Sequence, residues 1–375
     1  MREHGPKKRL AVIGGGMAGH VIAHAMQDTM NVSLIDPKTY VEVPMAVPRL
    51  LVEPDALPAR IPYVQFLPRV TLIQGHATLM TDWSVDVETS QGAKQTVDFD
   101  YAVIASGSRY SDPLIKAAAA SETERSAELA TAHELYLSAR TVVIVGGGAV
   151  GVEIAGEFVE SLPNAKVIIV DSGKKLLQAA PSKFGTWAER FMMEHGVEVL
   201  LNDRVTSPSV GKQPTNGVVT TASGRTIKAD AVIWATGVNV ATEFAARAWP
   251  DAAEPDGRLK TDRFLRLVNH PTLFVAGDAT NLPERRMAIV AGLHAPVVIK
   301  NLKALAVAAN PVRVALTPYK PHPPNTAKGR MMFVTLGRHG GLSSLPFGQF
   351  RAAFLARIKS EDMLVGRVRK GVGIK

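Results

Sequence analysis

Six glycines and two aspartates are the residues best suited to chemistry in this chain. Gly14, Gly16 and Gly19 follow the apolar run "LAVI", and Gly146, Gly148 and Gly151 follow "VVIV". In such a triplet the first glycine permits a tight turn and the second lets the backbone approach a pyrophosphate. The third lets a helix close on its strand. Gly15, Met17 and Ala18 complete the first turn. The helix that opens in each turn offers unpaired N–H groups and a positive dipole end to an anion. Asp36 ends the run "NVSLID" and Asp171 ends "KVIIVD". At that distance from the glycines a carboxylate accepts hydrogen bonds from ribose hydroxyls. The chemistry expected is therefore dinucleotide binding, twice.

The elements that position these residues also recur. Gly146 lies 132 residues after Gly14, Asp171 lies 135 after Asp36, and Gly237 of "AVIWATG" lies 130 after Gly107 of "YAVIASG". Three features repeated in one order argue for two similar strand–turn–helix–strand units. The expected fold class is α/β, with two Rossmann-like dinucleotide-binding domains and a small C-terminal segment.

Composition narrows the chemistry further. The 375 residues are 46 % hydrophobic and 21 % charged, which suits a packed core rather than disorder. Cysteine is absent, which excludes a disulfide framework, thiolate metal sites, iron–sulfur ligation and a redox dithiol. Any electrons that move are expected to move on a bound cofactor. The first core strand begins near Arg9, Arg2 does not fit the N-myristoylation pattern, and no uninterrupted apolar run reaches roughly eighteen residues. A soluble or peripherally bound cytoplasmic protein, not a secreted one, is the expectation. The net charge of +9 is concentrated beyond Pro311, where twelve Lys or Arg face two acids.

With these motifs in place, the layout from about Leu10 to Ala309 resembles the two-dinucleotide-binding-domain flavoproteins of the pyridine nucleotide-disulfide oxidoreductase superfamily. In that group the first site holds FAD and the second NAD(P)H. The run "LFVAGD" resembles its second FAD fingerprint, which implies that Asp278 holds the flavin ribityl chain. It also implies a helix starting near Met287, aimed at the flavin ring. The segments "YVEVPMAVPRLLVEP", "RRMAIVAGLHA" and "PYKPHPPNTAKGRMMFVTLGRHGG" are similar to the ferroptosis-suppressor (apoptosis-inducing-factor-homologue) quinone reductases. That resemblance implies FAD-dependent reduction of ubiquinone or related quinones such as vitamin K by NAD(P)H, at membrane or lipid-droplet surfaces, to radical-trapping hydroquinones. It assigns Arg49 and the backbone at Ala77 to FAD and Glu153 to the nicotinamide side. Ala105 and Gly107 bracket a variant of the family's "ATG" motif, with Ser106 between them. The missing cysteines set the chain apart from the disulfide-reductase branch.

The domains expected are an FAD domain from residues 1–110 and 242–310, an inserted NAD(P)H domain at 111–241, and a basic C-terminal segment at 311–375. The alanine-rich stretch near Ala117 would be a crossing linker, and "KPHPPN" a loop. Asp171 favours NADH, while Lys174 and Lys175 leave NADPH open. Glu153 is expected to position the nicotinamide, and Lys359 is a candidate for the quinone side, with a solvated surface lysine as the alternative. His294 is either a proton donor or a structural histidine; His20 and His24 are expected to have no chemical role. Phe347, Phe350, Phe354 and Ile358 are spaced to share one helix face beside Arg351 and Arg357. That face would meet an anionic membrane or roof the quinone pocket. Two rivals remain, a ferredoxin or rubredoxin reductase and a basic nucleic-acid-binding flavoprotein. The latter lacks a reading helix or zinc spacing, so nucleic acid is not an expected partner. A homodimer is compatible with the sequence, which does not set the oligomeric state.

Overall fold

The computed structural model describes residues 6–326, 328–351 and 359–374. The two glycine turns sit in two sheets of matching design. In the first, Arg9–Ile13 runs between Asn31–Asp36 and Tyr101–Ile104, parallel to both. Leu273–Val275 adds a parallel strand beyond Tyr101–Ile104, and Val70–Met80 adds one beyond Asn31–Asp36. Two antiparallel strands, Ser84–Thr89 and Lys94–Asp98, complete seven. In the second sheet Thr141–Val145 is likewise flanked in parallel by Lys166–Val170 and Ala231–Trp234, with Glu198–Leu200 at one edge. The duplication read from sequence is thus a duplication of strand order.

Both faces of the central strands of each sheet are covered, so those strands are apolar on both sides. Leu10 and Val12 enter one core while Ala11 and Ile13 enter another. Val142 and Ile144 join the same core as Leu10, whereas Val143 and Val145 turn away into a third. One core therefore runs between the two sheets. Burying each of its larger aliphatic side chains contributes about 1.5–3 kcal/mol.

The chain crosses between the sheets twice, and the crossings pair. Ser108–Arg109 lies antiparallel to Asn239–Val240. Asp112 pins the outward crossing, accepting from Leu114 N–H and from Trp234 N–H of the second sheet. Arg125 grips the same crossing through the carbonyls of Pro113 and Leu114 and holds Glu42 of the first unit with both guanidinium arms. The following helix, Glu122–Ser138, starts with a capping box between Ser121 and Glu124.

The helix Ala288–Ala306 contributes Ala295, Val298 and Leu302 to the core between the sheets. Its length and mean hydropathy of 1.3 would suit a membrane span, although it contains His294, Lys300, Asn301 and Lys303. It packs against the first-turn helix Gly19–Met26, with His294 and Asn301 buried and hydrogen-bonded.

A correction concerns the tail. Phe347 and Phe350 are not on a helix; they belong to a three-stranded antiparallel sheet of Met332–Leu336, Gly340–Leu345 and Gly348–Arg351. Pro346 and Gly348 break helical continuity and favour the turn, and Phe347 stands exposed at its tip. Phe354, Leu355, Arg357 and Ile358 lie outside the described residues. The sheet sits directly on the helix Ala149–Ser161. A Cβ on Gly156 would fall 2.4 Å from the Gly337 nitrogen, so only glycine allows this approach.

Candidate functional site

The two turns are near copies at atomic detail. Gly14 and Gly146 have φ of +95° and +115°, which glycine adopts without strain. A Cβ on Gly19 would lie 1.8 Å from the Gly14 carbonyl oxygen, and one on Gly151 would lie 1.9 Å from that of Gly146. Asp36 Oδ2 accepts from Gly15 N–H at 2.6 Å, and Asp171 Oδ2 from Gly147 N–H at the same distance. Each aspartate thus braces its own turn and keeps acceptor capacity for a ribose. Gly16 and Gly148 are exposed, with no atom within 4 Å of a Cβ position. Both cradles are therefore shut on the strand side and open where a pyrophosphate would lie, and they fit dinucleotides.

The surroundings of the first turn explain the remaining predicted residues there. Met17 is half-buried against the core, and Ala18 caps the helix Gly19–Met26. The Ala105 carbonyl packs under Gly14, while Ala105 N–H donates to Ile13. Ala77 lies at an irregularity in the strand Val70–Met80. His20 is fully buried; its Nδ1 meets the Gly16 carbonyl at 2.7 Å, and burial pushes its imidazole down to about 4. Tyr63 was not expected here, yet its hydroxyl donates to the Gly15 carbonyl and fills the space beside that glycine.

At the junction of the sheets, Asp278 lies in the turn Gly277–Ala279 and accepts from Ser108 Oγ at 2.6 Å. Lys116 Nζ, buried at the end of the crossing, reaches Ser108 Oγ at 3.2 Å and sits 3.5 Å from a Cβ position on Gly107. Burial lowers its affinity for a proton, and the carboxylates of Asp278 and Asp36 oppose that. Among the described residues its one hydrogen-bond partner, Ser108, is shared with Asp278. Gly237 is the matching residue of the second unit and packs on Ser111. The helix expected near Met287 begins at Ala288 with Met287 as its cap. Asp278, Thr280, Arg286 and His294 line a cleft of about 190 Å³ at its start.

Glu153 and Lys359, 206 positions apart, form a buried ion pair. Glu153 stands in the first turns of the helix Ala149–Ser161 that leaves the second cradle. The same Oε1 accepts from Thr335 N–H at 2.9 Å. The solvated alternative for Lys359 is thereby overturned. Burial raises the Tyr110 hydroxyl's pKa, and the Asp278 and Glu153 carboxylates add to the rise while Arg286 opposes it. One helical turn on, Glu157 is held by Arg49 through two guanidinium nitrogens, one of them at 2.8 Å. Burial raises the Glu157 pKa against the pull of Arg49. Arg49, assigned to FAD by resemblance, thus ties the first unit to the second-cradle helix and also reaches the Ser360 carbonyl. Glu160 continues the row and accepts from Arg338 N–H.

His294 is structural. Its Nδ1 accepts from Gly277 N–H and its Nε2 meets Glu284, so both ring nitrogens are engaged. Tyr63, Tyr110, Lys116 and Glu284 were not singled out from sequence. A buried lysine or glutamate has no local pattern to distinguish it from a solvated one. No cluster of metal ligands occurs among the described residues.

Comparison with known proteins agrees with this geometry. The chain is 28 % identical over 385 aligned positions to apoptosis-inducing factor homolog B of Dictyostelium discoideum, covering 96 % of each. It is 25 % identical to ferroptosis suppressor protein 1 of Xenopus tropicalis, covering 97 % of this chain and 96 % of that one. The structure of NDH2 from Plasmodium falciparum in complex with NADH shares the fold, with a TM-score of 0.74, 14 % identity and coverage of 98 % and 96 %. Residues 8–295 match the model of the pyridine nucleotide-disulphide oxidoreductases; the chain belongs to that family and is an FAD- and NAD(P)H-dependent oxidoreductase.

Proposed function

We propose that this oxidoreductase passes electrons from NAD(P)H to a quinone of the ubiquinone or vitamin K type. The observation that carries the reading is the buried Glu153–Lys359 pair, assembled by the C-terminal segment over the second-cradle helix. With no cysteine in the chain, there is no dithiol to accept electrons. The names of similar proteins, ferroptosis suppressor protein 1 among them, point the same way.

When bound, FAD supplies the chemistry that accepts hydride from the nicotinamide and hands on two electrons. The protein's own residues bind and orient. Asp36 and Asp171 hold the two riboses, Asp278 holds the ribityl chain, and the exposed Gly16 and Gly148 amides meet the pyrophosphates. Lys116 shares Ser108 with Asp278 and supplies positive charge there. Glu153 positions the nicotinamide, and Lys359 is aligned by Glu153 toward the side where a quinone oxygen gains a proton. A hydroquinone product would trap lipid radicals, and its parent dissolves in lipid. The proposal therefore includes peripheral work at a membrane or lipid-droplet surface.

The test is anaerobic. NADH should bleach the flavin of the purified protein, and a short-chain quinone should restore its colour. Restoration by a ferredoxin and not by quinones would transfer the assignment to the rival reductase. Lys359→Met should raise the KM for quinone while leaving bleaching by NADH within about twofold.

A further inference from the structure

We propose that Glu284 joins the flavin-binding turn to the docking of the Tyr319–His322 segment, so that order in one and ligand affinity in the other form a single equilibrium. The inference rests on reading Asp278 as a flavin ligand.

Glu284 is buried at its carboxylate, with 3 % of the side chain exposed. Three donors converge on it. His294 Nε2–H reaches Oε2 at 3.0 Å, and Tyr319 O–H and His322 N–H reach Oε1 at 2.9 and 2.5 Å. Burial alone would raise the pKa of this acid; the three hydrogen bonds outweigh burial and hold it below the usual carboxylate range. On its other side the His294 ring accepts from Gly277 N–H at 2.9 Å, which places the ring proton on Nε2. Gly277 has a φ of +71° and immediately precedes Asp278. Tyr319 also stacks edge-on to His294 at 4.7 Å between centroids. A continuous path therefore runs from the segment through Glu284 and His294 to the backbone of the Asp278 turn.

Every link has a cost if broken. A buried carboxylate that loses one donor is left short of partners in a medium that cannot hydrate it. Residues 314–325 contain no helix or strand; a backbone bond, from Tyr319 N–H to the Arg263 carbonyl at 2.7 Å, joins the side-chain anchors that hold the segment down. One further anchor is independent of Glu284: Asn301 exchanges two hydrogen bonds with the backbone of Thr317. It provides a control that loosens the same segment without touching the path.

The experiment uses the full chain stripped of flavin and titrated with FAD, read by quenching of flavin fluorescence. Tyr319→Phe keeps the ring and removes the hydroxyl; Glu284→Gln keeps the shape and removes acceptor capacity. Each should weaken FAD binding about five- to twentyfold, the range of ordinary site-to-site coupling; Asn301→Ala should weaken it in the parent protein and add nothing in the Glu284→Gln background. Linkage is reciprocal, so FAD should slow hydrogen exchange of the 319–322 amides in the parent protein and fail to do so in Glu284→Gln. Weakening by Asn301→Ala that is as large in Glu284→Gln as in the parent, or unchanged affinity in folded Tyr319→Phe, overturns the coupling. If the parent protein binds no FAD, the flavin reading fails and this inference with it.

Discussion

The two cradles share a turn and differ in what leans on the helix that follows. The first-cradle helix, Gly19–Met26, buries a neutral histidine behind the turn and packs on the Ala288–Ala306 helix. The second-cradle helix, Ala149–Ser161, presents Glu153, Glu157 and Glu160 in a row, and groups from elsewhere in the chain take each of them. One helix is sealed by apolar packing and the other is a charged mount for Arg49 and the C-terminal sheet. The difference shows how a duplicated binding unit acquires separate duties. The turn is kept because phosphate geometry demands it, and the outward face is free to recruit new neighbours.

The comparison can be broken most forcefully at the third glycines. Gly19→Ala and Gly151→Ala each push a methyl into a carbonyl oxygen, at an expected local cost of about 5 kcal/mol. If the cradles hold different cofactors, Gly19→Ala yields a colourless protein, whereas Gly151→Ala stays yellow but is no longer bleached by NADH. Loss of the same cofactor in both would end the two-site reading.

Next comes the charged mount. Arg49→Met strands Glu157 without its guanidinium partner in a buried site, which should destabilise the fold by about 4 kcal/mol in urea melts. Adding Glu157→Gln should recover most of that loss. A single variant as stable as the parent would show that the row is ornamental to folding.

The sealed helix has a pH signature. His20 titrates near 4 in the folded chain and near its ordinary 6.5 when unfolded. The unfolded state therefore binds the extra proton first as pH falls. Stability should drop between about pH 6.5 and 4 by about 3 kcal/mol and then level off. His20→Leu should flatten that slope.

The smallest effect is a control. Arg109 and Glu243 pair on the surface with more than half of each side chain exposed. Their removal should change stability by under about 1 kcal/mol, less still in high salt.

How much could be read in advance divides along the same line. The cradles were legible because a strand, a turn and a helix start lie within a dozen residues, and each glycine meets a local steric demand. Asp278, Met287 and Arg49 were singled out through a family resemblance, which gave no sign that Glu157 would be the partner of Arg49. The tail misled: Phe347, Phe350, Phe354 and Ile358 have helical spacing, yet Pro346 and Gly348 turn the described part into a hairpin. In the structure Arg338, Arg351 and Lys359 are engaged by Glu53, Glu194 and Glu153.

By itself, then, the sequence determined two nucleotide cradles, their order, and the absence of thiol chemistry, since each depends on neighbours in the chain or on composition alone. Only the tertiary structure decided that Glu153 meets Lys359, that Lys116 and Asp278 share Ser108, and that Glu284 gathers His294, Tyr319 and His322. Charges far apart in sequence acquire meaning when folding removes the water between them, because a buried ion is tolerated only where partners are already in place.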